Sequence, residues 1–485
     1  MPEDVSAISD AATQREPVMS SVSSRTMALV VATALFMENI DSTIISTALP
    51  TIARSLQVDP LSLKLALTSY LISLAIFIPP SGWVADRFGA RKVFAAAIVI
   101  FLLGSVTCTT ARSLEGFVLA RFVQGMGGAM MVPVGRLIIA RNTPKAGFVN
   151  AMAWLTMPAL LGPVLGPLVG GFIVTHYAWQ WIFLINLPIG FAGLILALRL
   201  LPREAPRDAG AFDGVGFALA GLSLATLMLG SMQVTELEGI SAMMVALLAI
   251  GVVTGALLVR HCQRVAEPIL DFSLFRIVSY RTSVLGGMMF RIGIGAIPFL
   301  LPLMLQLGFG LTAIESGALT FVSALGALFM KPINARILRR YSFRTVLIVN
   351  GVLATLSLGS IGLFRADTPH PVIYAVLFLG GCLRSIQFTS LNSIAYADLT
   401  AAQMSKATSL ASAAQQISLG LGVTLGATAL AVSMRLNGSD QLAAGDFPWA
   451  FLLVTLCASL SIPVFRRLPL NAGEGMAGPV RREER

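Results

Sequence analysis

Two carboxylates lie in the middle of an apolar stretch that is long enough to cross a lipid bilayer. The stretch runs from Met27 to Ile52, and within it Glu38 and Asp41 are three residues apart, so they share one face of the predicted helix. Glu38 lies about 16 Å into this helix at 1.5 Å per residue, near the centre of a hydrocarbon layer roughly 30 Å thick. An acid at that depth costs about 2.5–3.5 kcal/mol on insertion scales, so we expect a function such as carrying protons or binding a substrate.

The composition of the whole chain is that of a polytopic membrane protein. Of its 485 residues, 56% are hydrophobic and 12% are charged. The net charge of +10 would suggest nucleic-acid binding in a soluble protein, but the basic residues lie in short loops, as membrane topology requires. The cysteines and histidines show no disulfide framework or metal-ligand spacing, and the sequence has no Gly-rich phosphate loop. We therefore expect no enzyme activity, no metal, no nucleic-acid partner and no cofactor.

Fourteen apolar segments are predicted to be membrane-spanning helices. Their approximate limits are 27–48, 64–84, 93–111, 115–135, 148–174, 181–201, 213–233, 240–260, 282–306, 314–334, 344–364, 371–391, 408–432 and 447–467. If the N-terminus is placed in the cytoplasm, cytoplasmic segments hold 25 Lys and Arg residues and outer loops hold 5. This bias predicts cytoplasmic termini and an even number of helices.

Two long cytoplasmic connections divide the chain into parts. We predict a disordered cytoplasmic tail at 1–26, an N-terminal six-helix bundle at 27–201, an inserted two-helix hairpin with its linkers at 202–281, a C-terminal six-helix bundle at 282–468 and a cytoplasmic tail at 469–485. The hairpin is interpreted as an insertion because its two spans carry no charge at membrane depth and no motif.

The connection after the second span resembles the G-x-x-x-D-R-x-G-R-[RK] motif of the major facilitator superfamily. The matching residues are Gly82, Asp86, Arg87, Gly89 and Arg91. We expect a loop in which Asp86 accepts from nearby backbone or pairs with a basic side chain and so holds one conformation closed on the cytoplasmic side. Gly82 is expected to permit close helix approach. The second half has Arg339 where the acid should be, so a symmetric second latch is not expected.

Span four contains a stretch similar to the R-x-x-Q-G-x-G motif of the same superfamily, in which the arginine takes part in proton handling. The arginine here is Arg121. A guanidinium stays charged even when buried, so next to a carboxylate it favours the ionised acid. The alternative is that Arg121 snorkels to the outer interface, because it lies only a few residues inside its span.

Span five resembles the G-x-x-x-G-P-x-x-G-G motif that is associated with antiporters. The matching residues are Gly162, Gly166, Pro167, Gly170 and Gly171. Glycines spaced by four line one helix face and permit close packing, and the prolines permit bending. Generic helix packing is the alternative interpretation.

The stretches from Asp41 to Ala53 and from Trp181 to Gly190 are similar to motifs of the fourteen-helix drug:proton antiporters of the EmrB/QacA type. The resemblance covers nearly the whole chain after residue 27. It implies an all-α major facilitator fold with two six-helix bundles around a midplane cavity and an extra hairpin. Glu38 is outside the usual pattern of this group.

The same resemblance implies proton-coupled export of small organic molecules by alternating access across a bacterial inner membrane. The expected partners are a small-molecule substrate, protons and the lipid bilayer, with a periplasmic adaptor as an open alternative. Asp41 is the first choice for the proton site and Glu38 the second, with Arg121 as their partner.

Three basic residues lie at membrane depth in the second half, namely Arg291, Arg384 and Lys331. Repeat symmetry places Arg291 in the cavity opposite Glu38 and Asp41, and all three are assigned to the cavity, with snorkelling as an alternative for Lys331. They favour a second hypothesis, a proton-coupled exporter of anionic or zwitterionic metabolites. A non-transporting membrane receptor is a third hypothesis, disfavoured because the antiporter motif is intact.

Overall fold

In the computed structural model of this protein, the described residues form helices and no strand. The described residues are 23–143, 145–206, 209–233, 241–265, 267–400, 403–438 and 441–472. The helices in chain order are α1 (Ser24–Leu56), α2 (Lys64–Phe77), α3 (Ser81–Phe88), α4 (Ala90–Thr110), α5 (Leu114–Asn142), α6 (Lys145–His176), α7 (Trp181–Leu184), α8 (Asn186–Leu200), α9 (Gly214–Gln233), α10 (Ala242–Cys262), α11 (Val278–Gly295), α12 (Ile297–Leu303), α13 (Ala313–Arg340), α14 (Phe343–Ile361), α15 (His370–Ala395), α16 (Met404–Leu436), α17 (Phe447–Ser459) and α18 (Ser461–Phe465).

Apolar helical segments are present at each of the predicted membrane spans. Within the described ranges, 13 helical segments are long and apolar enough to cross a membrane, and a shorter apolar helix covers Gly214–Gly230. The prediction of an all-α, multi-span fold with about fourteen spans is therefore confirmed.

The ends of several helices follow from local sequence. Ser23 caps α1 by accepting a hydrogen bond from the backbone N–H of Thr26, and Thr312 and Glu315 form a reciprocal capping box at the start of α13. Gly89 separates α3 from α4 with φ of +89°, a backbone conformation that side chains with a Cβ rarely adopt. These caps satisfy donors that the helix itself leaves free.

Four predicted spans are interrupted rather than continuous, and the last of them, the fourteenth, is divided at Leu460 into α17 and α18. The second ends at Phe77, before Pro79 and Pro80, and the predicted loop after it is instead the helix α3. The sixth is divided at Ile185 into α7 and α8. The ninth is divided at Ala296 into α11 and α12, and it continues as a π-helical turn over Met304–Gly308.

The predicted tails lie mostly outside the described residues. Positions 1–22 and 473–485 lie outside the described residues. Ser24, Arg25 and Thr26 were predicted to belong to the tail but are the first residues of α1. The predicted boundaries of the two six-helix bundles and of the hairpin between them remain predictions.

Two sets of helices form the main body. In the first half α1 packs extensively against α6 and α4 against α5, and in the second half α13 packs against α15. The halves meet through contacts of α6 with α13 and of α2 with α16.

We call the face at which α1 begins the near face and the face at which it ends the far face. The near face is the one that the Lys and Arg bias predicts to be cytoplasmic.

The α9–α10 hairpin lies against the seam between the halves, where α9 contacts both α2 and α16. Asp213, just before α9, accepts hydrogen bonds from His261 Nε2 at 2.7 Å and from the backbone N–H of Ile269 at 3.1 Å. Burial acts to raise the pKa of Asp213, but these bonds and one from the backbone N–H of Gly216 outweigh it and hold the pKa below its ordinary value. An ionised Asp213 thus fastens the base of the hairpin.

Candidate functional site

Asp41 lies in the middle of α1 with 0% of its side chain exposed. Its carboxylate accepts three hydrogen bonds, from Arg121 Nη1 at 2.7 Å, Gln124 Nε2 at 2.8 Å and Asn186 Nδ2 at 2.8 Å. The same two amides also donate to Ser105 Oγ, at 2.9 and 3.2 Å. The network joins α1, α4, α5 and α8, and its three donors converge on the side chain of Asp41.

Arg121 is buried at 1% exposure, so the alternative interpretation, in which it snorkels to the outer interface, does not hold. Its Nη1 also donates to Gln124 Oε1 at 2.5 Å. The guanidinium carbon lies 4.3 Å from the ring centroid of Tyr70, a cation–π contact. Since each charge of the Asp41–Arg121 pair compensates the other in a dry interior, removing either one leaves a buried charge without its partner.

Glu38, one helical turn before Asp41, has different surroundings. It lies on the wall of a cavity between the two halves. Its Oε2 is buried and has no hydrogen-bond partner among the residues that the structure describes. The two acids therefore share one helix, but Asp41 is enclosed by donors and Glu38 borders the open space.

The cavity has a volume of about 540 Å³ and is lined by both halves. On α1 it reaches Leu35, Glu38 and Asn39, and on α16 it reaches 411–416, so it occupies the near-face half of the body. Its polar lining residues are Glu38, Asn39, Arg136, Thr156, Arg291, Asn392, Tyr396, Ser412, Gln415 and Gln416. A space of this size and polarity suits a small organic molecule.

Among the residues that the structure describes, the charges on the cavity wall are one acid, Glu38, and two bases, Arg136 and Arg291. Arg291 is 4% exposed, and its Nη2 donates to Asn392 Oδ1 at 3.2 Å. Its Nε has no acceptor within the described part of the chain. The structure thus places Arg291 in the same cavity as Glu38, as repeat symmetry predicts.

Three assignments to the cavity are not met by this structure. Asp41 is enclosed behind the wall by Arg121. Arg384 is half-buried on α15 and donates to Ser323 Oγ of α13, and Lys331 is exposed on α13. Neither of these bases belongs to the described lining of the cavity. Arg384 instead donates a hydrogen bond to a hydroxyl group of the neighbouring helix. Lys331 is exposed, which agrees with the alternative that it snorkels to the interface.

The glycines of span five pack α6 against α1. A Cβ added at Gly162 would lie 2.8 Å from Asn39 Cβ, and one added at Gly166 would lie 2.1 Å from Thr43 Oγ1. At Gly170 the nearest atom would be Thr47 Oγ1 at 2.5 Å. Real Cβ contacts are longer than this, so the predicted glycine face of α6 is a close contact within the first half.

The other side of the same motif joins the two halves near the far face. A Cβ added at Gly171 would lie 2.5 Å from the carbonyl oxygen of Ala313, and one added at Gly317 would lie 2.2 Å from that of Pro167. Gln306 Nε2 of the second half donates to the carbonyl oxygen of Thr47 at 3.0 Å. The halves are therefore closed together on the far side of the cavity.

The stretch after span two is fastened to its own half. Asp86 pairs with Arg141 at the end of α5, and Arg141 also pairs with Glu204 at 3.3 Å. Arg91 donates to the carbonyl oxygens of Leu201, at 3.1 Å, and of Leu198. This confines α3 and the start of α4 against the ends of α5 and α8.

One residue of that stretch does not act as predicted in this conformation. A Cβ added at Gly82 would meet no atom of the described structure within 4 Å, so Gly82 is not at a close helix contact. Gly89 is constrained instead, by its positive φ and by Glu204, whose carbonyl oxygen would lie 3.1 Å from an added Cβ. Arg87 is exposed beside them.

The sequence matches the profile of the Major Facilitator Superfamily over residues 31–423 and 283–474. The chain belongs to the major facilitator superfamily. It is accordingly a multi-pass membrane transporter, a class of protein distinct from enzymes.

Relatives within this superfamily are similar along nearly their full length. A protein of Escherichia coli O6:H1 (strain CFT073), provisionally named multidrug resistance protein MdtD, is 35% identical over 462 residues, which are 94% of this chain and 97% of the relative. The MdtD protein of Escherichia fergusonii, also provisionally named, is 35% identical over the same share of both chains.

Solved transporters of the superfamily share the fold at low identity. The inward-open xylose transporter XylE of E. coli has a TM-score of 0.63 and 13% identity, covering 94% of this chain and 100% of that one. A peptide transporter of the POT family, in complex with a thioalcohol-conjugated peptide, has a TM-score of 0.66 and 17% identity over 91% and 95% of the two chains. These likenesses support the major facilitator architecture.

Some site residues were not identified from the sequence. Arg136 was counted as a loop residue because span four was expected to end at 135, whereas α5 continues to Asn142. Tyr70 was overlooked, although a tyrosine in an apolar helix is a signal for a buried hydroxyl in need of a partner. Asn186 lay in a quoted motif, but nothing in the sequence showed that its amide would reach Asp41.

Proposed function

We propose that this transporter is a proton-coupled antiporter that exports small organic molecules across the bacterial inner membrane. The main observation behind the proposal is the position of Glu38. Its carboxyl group lies on the wall of the cavity, and its Oε2 lacks a hydrogen-bond partner among the described residues. A carboxyl group at membrane depth can hold either a proton or a cationic group, but not both. Competition between the two is the basis of exchange.

The same acid pair supports a role for the proton gradient. Glu38 and Asp41, with Arg121, form the proposed proton-coupling group, in which Arg121 pairs with Asp41 while Glu38 borders the cavity. Each proton that enters contributes about 2.3 kcal/mol per 100 mV of membrane potential, and the pH gradient adds to this. That energy is available to return the protein to the state that accepts the next substrate.

The place where the halves meet supports a mechanism of alternating access. The cavity lies in the near-face half, and α6 and α13 close the far side through Gly171 and Ala313. With the near face in the cytoplasm, this conformation is ready to take substrate from the cell interior. Export then requires the α6–α13 contact to separate while the near face closes.

We expect single cysteines to report this orientation. In a variant without native cysteines, Arg87→Cys near the near face is expected to react only with membrane-permeant thiol reagents in intact cells. Arg112→Cys, exposed between α4 and α5 on the far face, is expected to react with impermeant reagents as well. The opposite labelling pattern would invert the proposed topology.

A second candidate function is export of anionic or zwitterionic metabolites. Arg136 and Arg291 outnumber Glu38 on the cavity wall, and Arg291 Nε has no acceptor in the described structure. A guanidinium can bind a carboxylate through two parallel hydrogen bonds. Arg291 therefore either balances the charge of the acids or binds an anionic group directly.

Transport by reconstituted vesicles tests both functions. With an imposed proton gradient, we expect ethidium, a cationic probe, to be moved by the wild-type protein and by Arg291→Ala in part, with the pH optimum displaced upward because the ionised acids lose a neighbouring cation. If Arg291 binds the substrate instead, Arg291→Ala loses transport of the anionic probe salicylate with little change in any pH profile.

The variant Arg291→Lys separates the two roles further. Lysine keeps the charge but lacks the planar pair of donors, so it should restore charge balance better than anion binding. Identical rates and profiles for all three proteins would show that Arg291 serves neither role. Absence of gradient-driven movement of either probe by the wild type would count against both functions.

A further inference from the structure

Tyr70 on α2 is a buried tyrosine whose ring contacts Arg121 but whose hydroxyl has no role in the site described above. It is 2% exposed, and its hydroxyl has no hydrogen-bond partner among the described residues. An unpaired buried hydroxyl is costly, so a phenol kept in this position calls for a reason.

The two ends of Tyr70 face two different parts of the site. Its ring lies against the guanidinium of Arg121, 4.3 Å from the ring centroid to the guanidinium carbon. Its hydroxyl lies beside Gly128, where an added Cβ would be 3.0 Å from the phenol oxygen and 3.7 Å from Glu38 Cγ. Gly128 itself lines the cavity. The phenol and the carboxyl group of Glu38 thus converge on one backbone position of the cavity wall.

Two buried oxygens without a partner among the described residues, Glu38 Oε2 and the Tyr70 hydroxyl, therefore belong to side chains that approach the same position, Gly128. A phenol can donate its proton in a hydrogen bond to an ionised carboxylate, and it can accept one from a protonated carboxyl group. A small rotation of either side chain would exchange one arrangement for the other. The ring of the same tyrosine would carry that movement to Arg121.

We propose that Tyr70 is a positioning residue that links the cavity-facing carboxyl group of Glu38 to the enclosed Asp41–Arg121 pair. Glu38 takes up the proton from the cavity, and Asp41 remains the buried anion that holds Arg121. The inference rests on the proposed proton coupling and assigns different tasks to its two acids. It also explains why Asp41 has three donors while Glu38 Oε2 has none in the described structure.

Other charged groups around Glu38 must be considered in any test that varies pH. They are Asp41 on α1, Arg121 and Arg136 on α5, Tyr70 on α2, and, across the cavity, Arg291 on α11 and Tyr396 just after α15. Tyr70→Phe leaves all of these groups in place and removes only the hydroxyl of Tyr70. It also keeps the ring over Arg121, so it removes the proposed link without removing the cation–π contact.

The protonation of Glu38 can be followed without any substrate. Dicyclohexylcarbodiimide adds to a protonated carboxyl group in an apolar site and forms an acylurea, with the proton of the acid passing to a carbodiimide nitrogen. We expect the purified protein to be labelled at Glu38 with a defined midpoint pH. In the proposed link the phenol donates to the ionised carboxylate, so Tyr70→Phe, which lacks this donor, should raise that midpoint by about one unit, a tenfold change in proton affinity.

Transport measurements complete the test, with Tyr280→Phe as a matched control. Tyr280 is also fully buried, but its hydroxyl donates to the carbonyl oxygen of Ala407, away from Glu38. We expect Tyr70→Phe to slow gradient-driven ethidium transport, and the double variant with Glu38→Gln to be no slower than Glu38→Gln alone. Tyr280→Phe should change neither the labelling midpoint nor the pH profile.

The outcomes separate this inference from the proposed function. Labelling of Tyr70→Phe with the wild-type midpoint, or fully additive losses in the double variant, would overturn the link between Tyr70 and Glu38. A shifted midpoint in a protein that moves neither probe would retain the link and reject the antiport. Gly128→Ala, which places a methyl group between the two side chains, should shift the labelling midpoint as well if their contact is the cause.

Discussion

Replacing Asp41 by asparagine is expected to abolish gradient-driven transport and to lower the free energy of unfolding by about 3–5 kcal/mol. The physical reason is the guanidinium of Arg121, which is 1% exposed and has Asp41 as its anion at 2.7 Å. Without the carboxylate, a positive charge remains in a dry interior. We expect the chain still to insert into the membrane, because the apolar spans that direct insertion are unchanged.

Thermal unfolding of the detergent-purified protein and transport by vesicles with matched protein amounts would measure the two effects. The double variant Asp41→Asn with Arg121→Gln removes both charges and should recover much of the stability but none of the transport. Asp367→Asn, at an exposed position, is the matched control and should behave as wild type. A single Asp41→Asn variant with wild-type transport would remove Asp41 from the mechanism.

The fold was predictable because it depends on long apolar segments and on the bias of basic residues. The spans need only enough apolar residues to cross the bilayer, and that is a local property of the sequence. The interruptions at Ile185 and Ala296 were not predicted, since membrane helices tolerate such breaks wherever neighbours satisfy the backbone.

The site was predictable in its residue types but not in its arrangement. Spacing placed Glu38 and Asp41 on one side of α1, yet only packing decides that one faces Arg121 and the other the cavity. Similarly, the sequence places Arg384 at membrane depth but does not show that its partner is Ser323 on the neighbouring helix. Pairing between helices distant in sequence is set by the tertiary structure, which no local pattern contains.

The glycines of α6 illustrate the same limit with a testable consequence. The motif predicted close packing along one face, and Gly170 does pack within the first half, against α1. The adjacent Gly171 points to the second half and packs against α13. Substitutions at these neighbouring positions should therefore have different effects: Gly170→Ala should mainly lower stability, and Gly171→Ala should mainly change the balance between conformations.

Gly171→Ala is expected to destabilise the closed far face and to impair transport. Its Cβ would lie 2.5 Å from the carbonyl oxygen of Ala313, a backbone atom that cannot rotate away, so α6 and α13 must separate. Overpacking of this kind costs about 1–3 kcal/mol, which shifts a two-state equilibrium by about 5- to 150-fold. The far face should then open more often, while substrate still binds.

A cysteine at Ser316 would detect the opening, because Ser316 is 0% exposed near this contact and the change from serine is small. In a variant without native cysteines, Ser316→Cys should react slowly with an impermeant thiol reagent, and addition of Gly171→Ala should accelerate the reaction. Gly221→Ala is the matched control, since its Cβ would make only an ordinary contact, at 3.7 Å from Ile76. Unchanged reactivity and normal transport in Gly171→Ala would show that the α6–α13 contact does not control access from the far face.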